Sequence, residues 1–189
     1  ASRGLGDVYK RQVNVDNSTA GADRDGQVKM FREAALGLAD AAKERRDNMQ
    51  EKIARVVEII NRPENKDDHF LLWHDLEAER LELCKAIPGC KAVYGSQDDD
   101  EADKIISDFK DGRLKYLAAK PEMLGEGLNF QYHCHKAIMF IDYRFNDKFQ
   151  AIARIYRFMQ KYPVDLYLVY AESEGEIYKS FMQKWAQHN

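Results

Sequence analysis

The chain has 189 residues, 44% of them hydrophobic, with a net charge of −3. That content is enough for one sizeable core, and the near balance of charge excludes recruitment of nucleic acid by bulk electrostatics, so a polyanion site must be local. No apolar run approaches the roughly eighteen residues of a membrane span and no signal peptide opens the chain, so no membrane partner is expected.

Residues 1–27 are rich in Gly, Asp, Ser and Asn without an apolar period. They read as a disordered or non-native tail. Residues 28–63 read as a helical linker or extension. Met49, Ile53, Val56 and Ile60 recur at helical spacing, "NRPEN" stops the run at Pro63, and "KERRDNMQEK" is a solvated, mixed-charge face.

From residue 64 to 189 the texture is a regular alternation. "HFLLWH" precedes "LEAERLELCKAI", and "KAVYG" precedes "DDDEADKIISDFKDG". "LKYLAAK" precedes the glycine-rich "PEMLGEGLNFQ". "KAIMFID" precedes "NDKFQAIARIYRFMQ", and "VDLYLVY" precedes "SEGEIYKSFMQKW". Five such units predict an α/β domain with a mainly parallel sheet flanked by helices. Functional groups in such sheets gather at the carboxyl ends of the strands. Those ends are His74-Asp75, Gly95-Ser96-Gln97, Lys120, residues 142–146 and Ala171-Glu172.

The motifs narrow the chemistry. GxxxxGK[ST] is absent, so the sequence has no phosphate-cradling P-loop of its own. "GEGLNFQ" fails as a dinucleotide fingerprint because the third glycine and the later acid are missing. It reads either as a plain turn or as a tight loop whose glycines let backbone approach a phosphate or another domain. "HCH" (His133, Cys134, His135) lacks a second ligand pair at zinc spacing, so no metal site is expected. His74 beside Asp75 lacks a nucleophile motif and reads as a strand end. Cys84, Cys90 and Cys134 form no CxxC pair and read as buried thiols of a reducing, cytoplasmic compartment.

"QAIARIYRFMQ" raises the sharpest question. On a helix, Gln150, Arg154, Arg157 and Lys161 share one face, while Phe149, Ile152, Tyr156 and Met159 share another. A solvated amphipathic helix would account for this. So would a pair of planar, permanently charged guanidinium groups set to stabilise a phosphoryl transition state. Between residues 142 and 161 five basic side chains (Arg144, Lys148, Arg154, Arg157, Lys161) outnumber Asp142 and Asp147, a local positive patch in an acidic chain.

In this order the motifs resemble the carboxy-terminal RecA-like lobe of superfamily 2 helicases and translocases, with the nearest look to Swi/Snf-like and phage or mobile-element DEAD/DEAH-type members. "LLWHDLEAERLELCKAI" resembles motif IV and its helix. "VYGSQ" followed by "ISDFKDGRLKYLAAKPEMLGEGLNFQ" resembles the stretch ending in motif V. "FNDKFQAIARIYRFMQ" is similar to motif VI.

The resemblance implies a RecA-like fold and an ATP-dependent helicase or translocase. Arg154 and Arg157 match the motif VI arginine fingers that reach ATP held, with Mg2+, on the amino-terminal lobe. Gln150 matches the opening of that motif. Gly125, Gly127 and Asn129 match motif V, which couples the nucleotide cleft to nucleic acid. Gly95, Ser96 and Lys120 fall where the family grips the phosphate backbone, although Lys120 stands where Ser or Thr is common. Ala153 departs from the usual pattern, and Met159 stands where the family often has glycine. The implied partners are the amino-terminal RecA-like lobe and nucleic acid, with duplex DNA favoured. Because the P-loop half is missing, the chain is expected to be a fragment with negligible ATPase alone. The alternative is a non-catalytic RecA-like module that binds nucleic acid or a protein.

Overall fold

The computed structural model describes residues 8–15, 38–124, 128–140, 145–171 and 174–187. Six strands form one parallel sheet in the order β1-β6-β5-β2-β4-β3. They are β1 (Val8–Val15), β2 (His69–Trp73), β3 (Lys91–Val93), β4 (Tyr116–Ala119), β5 (Cys134–Phe140) and β6 (Val164–Ala171). The helices are α1 (Leu38–Ile60), α2 (Glu77–Ala86), α3 (Asp99–Lys110), α4 (Phe145–Ile152) and α5 (Gly175–Gln187).

The five expected strands stand where the apolar runs placed them, because a parallel strand covered on both faces reads as continuous hydrophobic sequence. Alternate side chains divide the core. Phe70 and Leu72 meet Ile53, Val56 and Leu83 on the face covered by α1 and α2. Leu71 and Trp73 meet Phe109, Ile152, Phe181 and Trp185 on the face covered by α3, α4 and α5. No helix among the described residues is long and apolar enough to cross a membrane.

The sixth strand is a correction to the disordered reading of residues 1–27. Val8–Val15 pairs in parallel with Val164–Ala171 over its whole length. Its Val and Tyr residues favour extended backbone, but the ladder partner lies about 150 residues away in the sequence, as the register shows. Local periodicity carries no signal of such a partner. Residues 16–37, including the start of the proposed extension, lie outside the described residues.

From Leu38 the extension is helical as read, and α1 is clamped to the sheet at two levels. Lys52, 7% exposed, pairs with Glu174 just beyond β6 at 2.6 Å. Below it, Ile53, Val56, Ile59 and Ile60 are buried, and Asn65 donates to the Ile59 carbonyl at 2.6 Å. At the amino ends of the strands Lys136, also buried, bonds Asp68 at 2.6 Å. Buried charges of this kind stay ionised only when paired.

Local signals close the remaining elements. Glu79 accepts from the Asp75 and Leu76 N–H groups at 2.8 and 2.9 Å, capping α2, and burial raises its carboxyl pKa. Asp98 accepts from Asp100 and Glu101 to cap α3. Gly112 ends that helix region at φ +75°, where a Cβ would stand 2.8 Å from the His133 ring. Only glycine fits both demands.

Candidate functional site

Because the sheet is parallel, every strand's carboxyl end lies on one edge. Val93 pairs with Ala119, and Trp73 with Ala119 and Met139. That register sets Gly95-Ser96, Lys120 and His74 side by side just past the strand ends. Gly95 and Ser96 are exposed and Lys120 is half-buried. A Cβ at Gly95 would meet nothing nearer than Met123 Sδ at 3.8 Å. The chain's own packing therefore tolerates a side chain there, and glycine leaves the backbone open.

His74 is buried completely, and among the described residues neither ring nitrogen has a hydrogen-bond partner of good geometry. Its backbone N–H donates to the Ala119 carbonyl at 3.3 Å. Burial pushes its pKa down to about 4, so the ring is neutral near pH 7.

A 3-10 turn, Pro121–Met123, leads from Lys120 to Leu124 and a second group of residues. Here the expected single arginine face does not form. Helix α4 ends at Ile152, eight residues before Gln160. Gln150 is exposed on α4, Arg154 is 9% exposed, Arg157 is half-buried and Lys161 is exposed. The chain leaves the helical path because tertiary partners take its backbone. The Arg154 and Ile155 N–H groups bond three residues back, to Ala151 and Ile152, and the Arg154 carbonyl accepts from the Phe130 N–H at 3.2 Å. Met159 sits at φ +75°, a left-handed conformation that favours glycine.

Five hydrogen bonds join the segment around Asn129 to the segment around Arg157. Arg154 Nη2 donates to the Leu124 carbonyl at 2.9 Å, and Arg157 Nη1 donates to Asn129 Oδ1 at 2.7 Å. The Phe130–Arg154 backbone bond lies between them. Gln131 Nε2 donates to the Phe158 carbonyl at 3.4 Å. Gln160 Nε2 donates to the Cys134 carbonyl at 2.9 Å and also to Ile155 at 3.1 Å. Gln131 and Gln160 are 6% and 8% exposed. They were not expected as site residues, although each is the glutamine that ends its motif in the sequence.

Among the described residues, two of Arg157's donors are taken. Nε donates to the Ala153 carbonyl at 2.9 Å and Nη1 to Asn129. A guanidinium has five N–H donors, so three of them have no partner among the described residues. A half-buried, oriented fork with unspent donors fits a phosphate oxygen.

Gly125 and Gly127 lie outside the described residues, as do Asp142 and Arg144. Arg154, Arg157 and Asn129 come together, and Gly95, Ser96 and Lys120 form a neighbouring group along the chain. Gln150 joins neither by a described bond. Among the described residues no three His, Cys, Asp or Glu converge to hold a metal ion. Of the "HCH" run, Cys134 is buried, its Sγ facing the Lys136 carbonyl at 3.2 Å, and His135 turns to Asp68 at 3.5 Å. Cys84 and Cys90 are free thiols with sulfurs 3.9 Å apart; Cys90 is buried and Cys84 half-buried.

No protein-family model and no curated protein matches the chain. Solved structures do. The carboxy-terminal part of the Fun30 ATPase domain matches with TM-score 0.60 at 17% identity, covering 70% of this chain and 46% of that one. The carboxy-terminal domain of S. cerevisiae Dbp5, bound to Gle1 and IP6, matches with TM-score 0.61 at 14% identity, covering 74% and 80%. A longer S. cerevisiae Dbp5 chain, also with Gle1 and IP6, matches with TM-score 0.59 at 15% identity, covering 75% and 38%.

The fold is that of a helicase carboxy-terminal RecA-like lobe.

The lobe spans less than half the length of the Fun30 chain and of the longer Dbp5 chain.

Proposed function

We propose that this chain is the carboxy-terminal half of an ATP-dependent nucleic-acid translocase or helicase, with duplex DNA the favoured track. The single observation that carries the reading is the Arg157 fork, fixed by Asn129 and Ala153 with its remaining donors unspent among the described residues. Such a group adds positive charge at a fixed place and needs no reorganisation when phosphate charge develops. Arg154 is bonded to the Leu124 carbonyl in the same junction.

In this reading ATP and Mg2+ are held mainly by an amino-terminal lobe with a P-loop, and the metal neutralises phosphate charge there. Closing of the two lobes brings the arginine junction to the phosphates, and reopening shifts the backbone grip of Gly95, Ser96 and Lys120. Asn129 touches the arginine and lies in the chain segment that continues from Lys120. A change in Arg157's bonding therefore has a short covalent and hydrogen-bonded route to that grip. The compartment is read as cytoplasmic, from the free thiols.

The test is Arg157→Ala in the protein that carries both lobes. Nucleic-acid-stimulated kcat is expected to fall about a thousandfold or more, with ATP affinity little changed. Unchanged hydrolysis would sink the finger assignment.

A second reading is a lobe that serves as a protein-binding module. It is favoured by Phe158, 84% exposed, beside exposed Met159 and Tyr162, and by the Gle1-bound state of the Dbp5 domain. Phe158→Ser would then abolish partner capture while leaving ATP hydrolysis intact.

A further inference from the structure

The sequence pairs Arg154 and Arg157 as equals. The structure treats them differently. Arg157 is half-buried with donors unspent, whereas Arg154 is 9% exposed and bonded within the lobe. Two bonds of Arg154 have a particular placement. Its guanidinium holds the carbonyl of Leu124 at 2.9 Å, and its own carbonyl holds the N–H of Phe130 at 3.2 Å. One residue thus ties both flanks of the segment that carries Asn129, the partner of Arg157. Leu124 and Phe130 are themselves 1% exposed, packed in the core with Ile152 and Ile155. The flanks are fixed to rigid structure, and Asn129 is presented between them.

We propose that Arg154 is a positioning residue: it staples Leu124 to Phe130, so that Asn129 is placed to orient Arg157, which alone is offered to phosphate. The catalytic half of the statement rests on the function proposed above; the staple does not.

The chemistry separates the two roles. A carbonyl oxygen needs one donor and no planar fork, so a lysine ammonium can replace the Arg154 guanidinium at Leu124. A bidentate, fixed-geometry contact with phosphate does not accept that exchange. Removing the donors while keeping the apolar stem, as in Arg154→Met, preserves the stem's packing and takes away the donor to the Leu124 carbonyl.

The experiment combines two readouts on the protein carrying both lobes: nucleic-acid-stimulated ATP hydrolysis, and amide hydrogen exchange across residues 124–134. Arg154→Lys should keep kcat within about threefold of wild type, while Arg157→Lys should lose about a thousandfold. Arg154→Met should lower kcat about ten- to a hundredfold with KM for ATP nearly unchanged, and should speed exchange at the Phe130 amide about tenfold. Arg154→Lys as inactive as Arg157→Lys, with Phe130 exchange unaltered, would overturn the proposal and make Arg154 a phosphate contact. Unaltered Phe130 exchange in Arg154→Met overturns the staple whatever hydrolysis does. If Arg157→Ala leaves hydrolysis intact while Arg154→Met still speeds exchange, the staple stands and the finger reading falls.

Discussion

Two regions of this domain are buried and are held by different physics. In the sheet, Phe70, Leu71, Leu72 and Trp73 on β2 are each 1% exposed or less, and what fixes them is non-directional burial against helices on both faces. At the junction of residues 124–134 with 153–160, Arg154, Gln131 and Gln160 are buried to within 6–9% exposure, and each is fixed by aimed donors on backbone carbonyls. Burial alone tolerates small shifts, because its energy varies with area. A hydrogen bond weakens steeply once its angle fails. The domain thus uses area for the bulk of its stability and aimed donors where polar side chains are held in one orientation.

Substitutions can break or sharpen that contrast. In the sheet, Leu72→Ala should cost about 3 kcal/mol of unfolding free energy, from lost transfer energy and the cavity left behind. Chemical denaturation would show a lower midpoint with unchanged slope, and exchange at the junction should rise only as far as global unfolding carries it.

His74 lies where the two regimes meet, at the end of an apolar strand but with a polar ring that is fully buried. Its folded pKa of about 4 is below the ordinary 6.5. The unfolded chain therefore binds a proton that the folded chain refuses between those values. Stability contributed by the neutral ring is intact above about pH 6.5 and is lost as pH falls toward 4, by up to about 3 kcal/mol. Glu79, raised by burial, contributes a slope of opposite sign. The measurement is therefore the difference between wild type and His74→Phe across that window, which should shrink in favour of the variant as the pH is lowered.

At the junction, Gln160→Ala should cost about 2 kcal/mol, because it leaves the buried carbonyls of Cys134 and Ile155 without their donor. Its distinguishing mark is local: faster exchange over residues 155–162, larger than the change across β2. The smallest expected effect has the opposite sign. Met159→Gly should stabilise the lobe by about 1 kcal/mol, by relieving a side chain held at φ +75°. A loss of stability there would mean that Met159's contacts outweigh its strained backbone.

The contrast also explains what could be read in advance. Five strands and the helices α2, α3 and α5 are local patterns of apolar period, caps and glycine stops, and each is visible in a window of about a dozen residues. The strand Val8–Val15 was not visible, since its ladder partner is β6. The long arginine helix was over-read. The period continues past Ile152, but Phe130 and Leu124 compete for the backbone and guanidinium of Arg154. The difference between Arg154 and Arg157 was likewise hidden, because both sit at helical spacing on the same sequence stripe.

By itself the sequence determined the parallel α/β architecture, the residues that line both faces of the sheet, and the two motifs that meet at the junction. Those depend on periodicity and residue type, which local sequence contains. Only the tertiary structure decided that α4 stops at Ile152, that residues 8–15 complete the sheet edge, and that one arginine is bonded inward while the other keeps donors to offer. Each of these is a competition between a local conformation and a partner distant in the chain. The outcome depends on where the fold puts that partner.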